Sequence, residues 1–320
     1  MVDNNRIWVL LDNRAGNRSQ ALGVAQALML PYTKVDISYN SLIQLPNIFL
    51  GETLIGLNLS SRKKLRAPWP KLVISAGRRS ASAALAIKKM ANDKPLLVHI
   101  MQPGLRQYKF DLIAIPAHDN PPIGHNIIPI IGAPHALSED VISQARKSWM
   151  PSLEKLPAPR IAVFCGGSTR RRKFTESMAR EFGEHVSKMA IRAGGSLMVS
   201  TSRRSGLESE VFIDSIRCPS RVYRWNDQGE NPYIGFLACA DGIVVSGDSI
   251  SMCSEACALP VPVQIFAPSD LITAKHARCH KNLYDAGYAL PFNGILEDHK
   301  HPVLNSSSII AETIKETLLK

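Results

Sequence analysis

No stretch of about 18 uninterrupted apolar residues occurs in the sequence, so no segment is built to cross a bilayer as a helix. The start, Met1-Val2-Asp3-Asn4-Asn5, has neither the basic residues nor the small-residue cleavage site of a secretory leader, and a cytoplasmic location is expected. The six cysteines, at positions 165, 218, 239, 253, 257 and 279, form no CxxC pair. In a long chain without a leader they are expected as buried small hydrophobes rather than a disulfide framework. Cys253, Cys257 and Cys279-His280 come nearest to ligand spacing, and no metal site is expected from them. HExxH, Ser-His-Asp, GxGxxG, YxxxK and DxD patterns are all missing, which argues against metalloprotease, serine-hydrolase and dinucleotide-dehydrogenase chemistry.

Acids are also scarce. Lys and Arg number 38 against 27 Asp and Glu, a net charge of +11. The surplus is uneven: residues 1–155 hold 19 cations against 10 acids, and residues 156–320 hold 19 against 17. A basic first half suits an anionic partner such as phosphate or acidic lipid, or is a solvated charged surface. Nucleic acid is not expected, because Phe, Trp and Tyr make up only 6% and do not interleave with the cations.

What is present is an alternation of short apolar runs with helical patterns. Arg6–Leu11, Lys71–Ser75, Leu96–Ile100 and Asp111–Ile115 read as strands. Helices are expected at about 19–29, up to about 90, and 138–150. Pro151–Pro159 (PSLEKLPAP) reads as a linker. Beyond it the alternation restarts with strands at Arg160–Phe164, Ser196–Ser200, Gly242–Val245 and Val261–Phe266. Helices are expected at about 174–192, 249–259 and 308–319. Continuous apolar strands between helices indicate parallel sheets covered on both faces. The expected fold is therefore α/β, with two Rossmann-like domains over 1–155 and 156–320. The C-terminal helix could pack back on the first.

Ligands of such sheets collect outside the carboxyl ends of the strands. Four loops qualify. The first runs from Asp12 through Arg14, Gly16, Asn17 and Gln20, where two arginines flank a helix start and would suit phosphate. The second, Cys165–Lys173, holds Gly166, Gly167, Ser168 and Thr169, followed by cations that also fit a solvated face. The third holds Ser202, Arg203 and Arg204, a plausible diphosphate clamp. The fourth holds Gly247, Asp248, Ser249, Ser251 and Met252, with Glu255 placed to accept from ribose hydroxyls. His118 follows a strand and, with Asp12, is a candidate catalytic group at a cleft edge; a surface loop histidine fits equally.

These residues resemble a known family. Trp8–Asn17 (WVLLDNRAGN), Gln20, Gly23, SAGRRSA from Ser75, Pro103-Gly104 and FDLIAIPAHD from Phe110 carry the likeness in the first half. Cys165-Gly166-Gly167, TSRR, NPY from Asn231, DSISMCSEA, KHARCHKNL from Lys275 and Pro291-Phe292 carry it in the second. The chain is identified as similar to the elongated-mitochondria type mitochondrial-fission family of plants and alphaproteobacteria. That resemblance implies a GT-B-like fold with a donor site in the second domain, where Gly247, Ser249, Ser251 and Glu255 take the diphosphate and ribose. It implies a metal-independent glycosyltransferase using a UDP- or GDP-linked nucleotide sugar as co-substrate, with no bound cofactor. The alternative it implies is a non-catalytic adaptor that recruits a dynamin-like protein for membrane fission.

Residues 42–66 (LIQLPNIFLGETLIGLNLSSRKKLR) add a membrane expectation. Apolar residues precede Arg62, Lys63, Lys64 and Arg66, as in an interfacial segment on anionic lipid. A helix packed on the sheet with a basic end has the same sequence pattern. The interfacial reading places the protein peripherally on the inner membrane face, beside a lipid-linked acceptor.

Overall fold

A computed structural model describes residues 7–104 and 106–319. Met1–Arg6, the stretch that bears on a leader and on the first residue of the first strand, lie outside the described residues, as do Leu105 and Lys320. The chain divides into two compact units, Met1–Ala136 with Asn305–Lys320, and Leu137–Leu304. The proline-containing stretch 151–159 lies inside the second.

The first unit opens with strand β1 (Ile7–Leu11), helix α1 (Ala15–Ala27) and β2 (Tyr32–Asp36). Two short helices follow, α2 (Asn47–Leu50) and α3 (Leu59–Lys64), then β3 (Leu72–Ala76) and α4 (Arg78–Met90). It continues with β4 (Leu96–Ile100), β5 (Leu112–Pro116) and β6 (Ile127–Ile130). The sheet is wholly parallel, in the order β2-β1-β3-β4-β5-β6. Alternate side chains of β1 serve two cores. Ile7, Val9 and Leu11 join α1 and the C-terminal helix Ser306–Thr317 through Ile310, Ala311 and Ile314. Trp8 and Leu10 join the α4 side with Leu85 and Ile87. Burial on both faces explains why these strands read as unbroken apolar runs.

In the second unit α5 (Glu139–Leu153) leads to β7 (Arg160–Cys165), α6 (Glu176–Arg192) and β8 (Ser196–Thr201). Then come α7 (Glu208–Asp214), β9 (Ser220–Tyr223), α8 (Tyr233–Cys239) and β10 (Gly242–Ser246). The unit ends with α9 (Ile250–Ala256), β11 (Val263–Phe266), α10 (Ala274–Asp285) and β12 (Leu290–Pro291). Its parallel order, β12-β11-β10-β7-β8-β9, is that of a doubly wound dinucleotide-type sheet with the switch point between β7 and β10. Its core is held by Phe182, whose ring stacks on Phe266 at 4.4 Å and on Phe212 at 5.0 Å and meets Phe292 edge-on. Five of the six cysteines are buried, and Cys218 is half-buried.

Three departures from the sequence expectations have physical causes. First, α1 begins at Ala15 rather than near Ser19, because Asp12 Oδ1 accepts the Arg14 N–H at 2.8 Å and closes the turn early. Gly16, Asn17 and Gln20 are therefore helical. Second, α5 runs through Pro151 to Leu153, with the proline in the last turn. Third, residues 42–66 form no continuous helix. Pro46 and Gly51 bound α2, and Asn58 caps α3 by accepting the Ser61 N–H at 2.9 Å.

Phe182→Ala is expected to cost about 3–5 kcal/mol of stability, because three aromatic neighbours cannot collapse into the space. Chemical denaturation measures it, and a loss below about 1 kcal/mol would show that the ring cluster is not the centre of this core.

Candidate functional site

The switch point of the second unit brings three strand-end turns together through one carboxylate. Asp248, in the turn after β10, is 3% exposed. Its Oδ2 accepts from the Gly167 N–H at 3.1 Å and from the Arg204 guanidinium at 2.7 Å. Arg204 also donates to the Asp248 carbonyl at 3.3 Å. The Gly166 N–H donates to Ser246 Oγ at 2.6 Å, tying the turn after β7 to the end of β10. The Gly166 carbonyl accepts from Ser202 Oγ at 2.7 Å and Ser205 Oγ at 2.6 Å, tying in the turn after β8. The glycines are required by this knot. A Cβ on Gly166 would lie 2.1 Å from the Asp248 carboxylate, and one on Gly167 would lie 2.3 Å from the Arg204 carbonyl.

Several of the expected ligand groups make hydrogen bonds within the protein. Ser168 Oγ donates to Glu208 at 3.2 Å and accepts the Phe174 N–H at 3.0 Å. Thr169 Oγ1 accepts the Arg171 and Arg172 N–H groups of its own loop. Ser249 caps α9, accepting the Met252 N–H at 3.4 Å. The two arginines do not act as a pair. Arg204 turns inward to Asp248, while exposed Arg203 lines a cavity of about 580 Å³ with Thr201, Arg224, Trp225 and Asp227.

Glu255 sits on α9, half-buried, with Tyr233 Oη donating to its Oε2 at 2.6 Å. Burial pushes its carboxyl up to about 7, against the pull of the tyrosine hydrogen bond. Burial and the facing carboxylate push the Tyr233 phenol well above its usual range. Ser251 and Met252 are half-buried on the same helix. The stretch from β9 into the start of α8 supplies two aromatics outside the four strand-end loops, Trp225 and Tyr233. Trp225 lines the cavity and is 42% exposed, and its backbone N–H donates to Thr201 Oγ1 at 2.8 Å. Tyr233 packs against Phe164 with ring centres 4.6 Å apart and the rings tilted by 57°. Their signal in the sequence is aromatics bracketing the polar stretch 226–232 at a strand end, in a chain where aromatics are few.

The switch point of the first unit lies between β1 and β3. Asp12 is 1% exposed there, ion-paired with Arg79 and bonded to Asn17 Nδ2 at 2.9 Å. Arg79 also donates to Asn13 at 2.7 Å and lies over the Tyr39 ring at 4.6 Å. Asp12 is thus held in the loop by Arg79 and Asn17 with almost no surface open to solvent. His118, expected at a cleft edge, is 2% exposed in the short turn Ala117–Asp119 and belongs to the interior. Gln20 is 7% exposed, while Arg14 is exposed at the start of α1.

The raised Glu255 carboxyl has a consequence for stability. A folded-state pKa above the unfolded value gives a contribution present at acid pH and lost as pH rises through about 7. Glu255→Gln is expected to flatten the decline in stability between about pH 4.5 and 7 in denaturation profiles. An unchanged profile would remove Glu255 as its source.

Comparison with known proteins agrees with this architecture. The chain matches the family described as mitochondrial fission ELM1 over residues 15–318. An uncharacterized protein of Rickettsia prowazekii is 30% identical over 353 residues, covering 98% of both chains. The mitochondrial fission protein ELM1 of Arabidopsis thaliana is 26% identical over 81% of this chain and 66% of its own length. Among solved structures, a UDP-GlcNAc 2-epimerase from Neisseria meningitidis bound to UDP-GlcNAc superposes with a TM-score of 0.56 at 13% identity, covering 98% of this chain and 99% of that one. The glycosyltransferase SnogD from Streptomyces nogalater gives 0.53 at 14% identity, covering 99% and 96%. These likenesses show a GT-B-like fold. With 304 consecutive positions matched by the family's own pattern, this chain belongs to the mitochondrial fission ELM1 family.

Proposed function

We propose that the chain is a metal-independent glycosyltransferase that takes a nucleotide sugar, UDP- or GDP-linked, at the switch point of its second unit. The observation that carries this reading is the convergence of the three turns held by Asp248, beside Glu255 and the Trp225 cavity. The diphosphate lies on the backbone of the turns at Gly166-Gly167 and Gly247–Ser251. Arg204 is a positioning residue that holds those turns, and Arg203 supplies the mobile cation. The base stacks on Trp225, and Glu255 accepts from the ribose hydroxyls, with Tyr233 orienting it. Backbone dipoles of these turns, with exposed Arg203, can stabilise a departing diphosphate without a metal. The Arg14 loop, Gly16 and Asn17 serve the acceptor side. The acceptor is lipid-linked, and the protein works peripherally at the inner face of a membrane. A solved UDP-GlcNAc complex on the same fold supports the donor class.

The family description and the plant relative's name favour a second reading, a non-catalytic adaptor that recruits a dynamin-like protein. Turnover decides between the two. Nucleotide-sugar hydrolysis or transfer supports the enzyme. Binding without turnover, together with capture of a dynamin-like GTPase, supports the adaptor.

In calorimetry with UDP- and GDP-sugars, Glu255→Ala is expected to weaken binding by about 1–3 kcal/mol, the value of a hydrogen bond to a charged acceptor. Trp225→Ala is expected to cost about 1–3 kcal/mol for nucleotides and nothing for a sugar phosphate without a base. Equal affinity in both variants would refute this placement of the donor.

A further inference from the structure

Residues 38–66 of the first unit form a stitched surface rather than a loose loop. Asn40 Nδ2 donates to the Ile55 and Leu57 carbonyls at 2.7 and 3.0 Å. The Ser38 N–H donates to Ser61 Oγ at 2.8 Å, and Tyr39 bridges Leu57. Arg78, from the first turn of α4, donates to the Ile43 and Leu45 carbonyls and to Asn47 Oδ1. Asn47 in turn donates to the Pro103 carbonyl at 2.6 Å. So anchored, the segment presents Leu42, Leu45, Ile48, Phe49, Ile55 and Leu59 at 37–72% exposure, although Ile43, Leu50 and Leu57 are buried beneath. Six large apolar side chains held outward in one short stretch exceed the scattered exposure normal for a soluble surface.

The charge on this surface is mainly positive, and the acid beside its groove, Asp36, is paired with Arg18 at 2.6 Å. Between Ile37 and Lys71 the only acid is Glu52, against Arg62, Lys63, Lys64, Arg66 and Lys71. Glu52 is neutralised by Arg106 at 2.6 Å and by Lys109. Not every cation faces outward. Arg62 donates to the Ile55 and Leu57 carbonyls at 2.8 and 2.9 Å and so holds the segment together. Lys64 reaches the Asp36 carbonyl at 3.1 Å. Lys63 and Arg66 are exposed, and Arg66, Lys64 and Lys34 line a groove of about 510 Å³ beside Trp8 and Pro68.

We infer that this face docks on an anionic lipid bilayer, with Ile48 and Phe49 entering the acyl boundary and Lys63, Arg66 and Lys34 meeting the headgroup phosphates. This deepens the peripheral, lipid-linked part of the function proposed above and stands without its nucleotide part. Charge complementarity and side-chain type select the occupant. The exposed apolar residues are aliphatic with one phenylalanine. Trp, Tyr and outward Arg, which anchor protein interfaces, are absent from residues 42–59. Apolar side chains flanked by cations are what an acidic membrane surface takes up.

The test is sedimentation of the nucleotide-free protein with vesicles of phosphatidylcholine alone or mixed with phosphatidylglycerol. Binding is expected only to the mixed vesicles and is expected to fall as salt rises. Lys63→Glu with Arg66→Glu is expected to lower partitioning at least about thirtyfold, from about 1 kcal/mol per basic residue. Ile48→Ser with Phe49→Ser is expected to abolish it. Both double variants keep Arg62, Lys64 and the buried residues and are expected to fold, which circular dichroism checks. They are also expected to retain the parent's affinity for nucleotide sugar, so failure of the donor reading and failure of this one are separable. Equal binding to both vesicle types, binding to neither, or a concentration-dependent dimer abolished by the Ile48 and Phe49 changes would overturn the inference.

Discussion

A carboxylate with no exposed side-chain surface is unstable unless charge and hydrogen bonds answer it, and Asp248 is in that position. It sits in the turn after β10, so its partners can come only from neighbouring strand ends. Arg204 arrives from the turn after β8 and the Gly167 amide from the turn after β7. The need to compensate one buried acid thus fixes three loops against each other. Side chains at 166 and 167 are excluded, and the hydroxyls of Ser202 and Ser205 go to the Gly166 carbonyl. The backbone surface offered to a ligand is a by-product of that compensation, already in place before a ligand arrives.

The first unit solves the same problem with the same chemistry. At its switch point Asp12 is buried after β1, and Arg79 comes to it from the first turn of α4, the helix that follows β3. At a switch point the helices that follow adjacent strands leave toward opposite faces, so the strand ends there lack a helical cover. Polar side chains fill that gap, and buried polar groups must be paired. An aspartate answered by an arginine from a neighbouring turn meets both demands. It also accounts for the burial of Asp12, which the sequence offers as a candidate catalytic group.

The unbroken apolar strands were legible because burial on both faces leaves no other pattern: Leu72–Ala76, Leu96–Ile100 and Ser196–Thr201 fall where the apolar runs predicted them. The edge strand Tyr32–Asp36 was not, since four of its five residues are exposed or half-buried and its pattern is polar. The turns that converge in the second unit were legible from strand-end position and glycine content. The direction of their side chains was not. Ser168, Thr169 and Arg204 look like ligand groups in sequence, yet satisfying the loops' own backbone and the buried acid takes precedence. The positions of Trp225 and of Tyr233, the last residue of the NPY motif, depend on how the long stretch between β9 and α8 folds, which no local periodicity encodes.

Glu255 bears on the choice between the two functional readings. Burial raises its carboxyl to about 7, and no cation is among the causes of the shift. The one hydrogen bond that favours the charged form comes from a neutral phenol, Tyr233. A glutamine would accept that same bond without the penalty of placing charge in a desolvated position. Ribose hydroxyls, donating to the carboxylate, would favour the charged form and recover part of the burial cost on binding. Under the nucleotide-sugar proposal the half-buried carboxyl would therefore shift toward its charged form on binding, a change the adaptor reading does not call for.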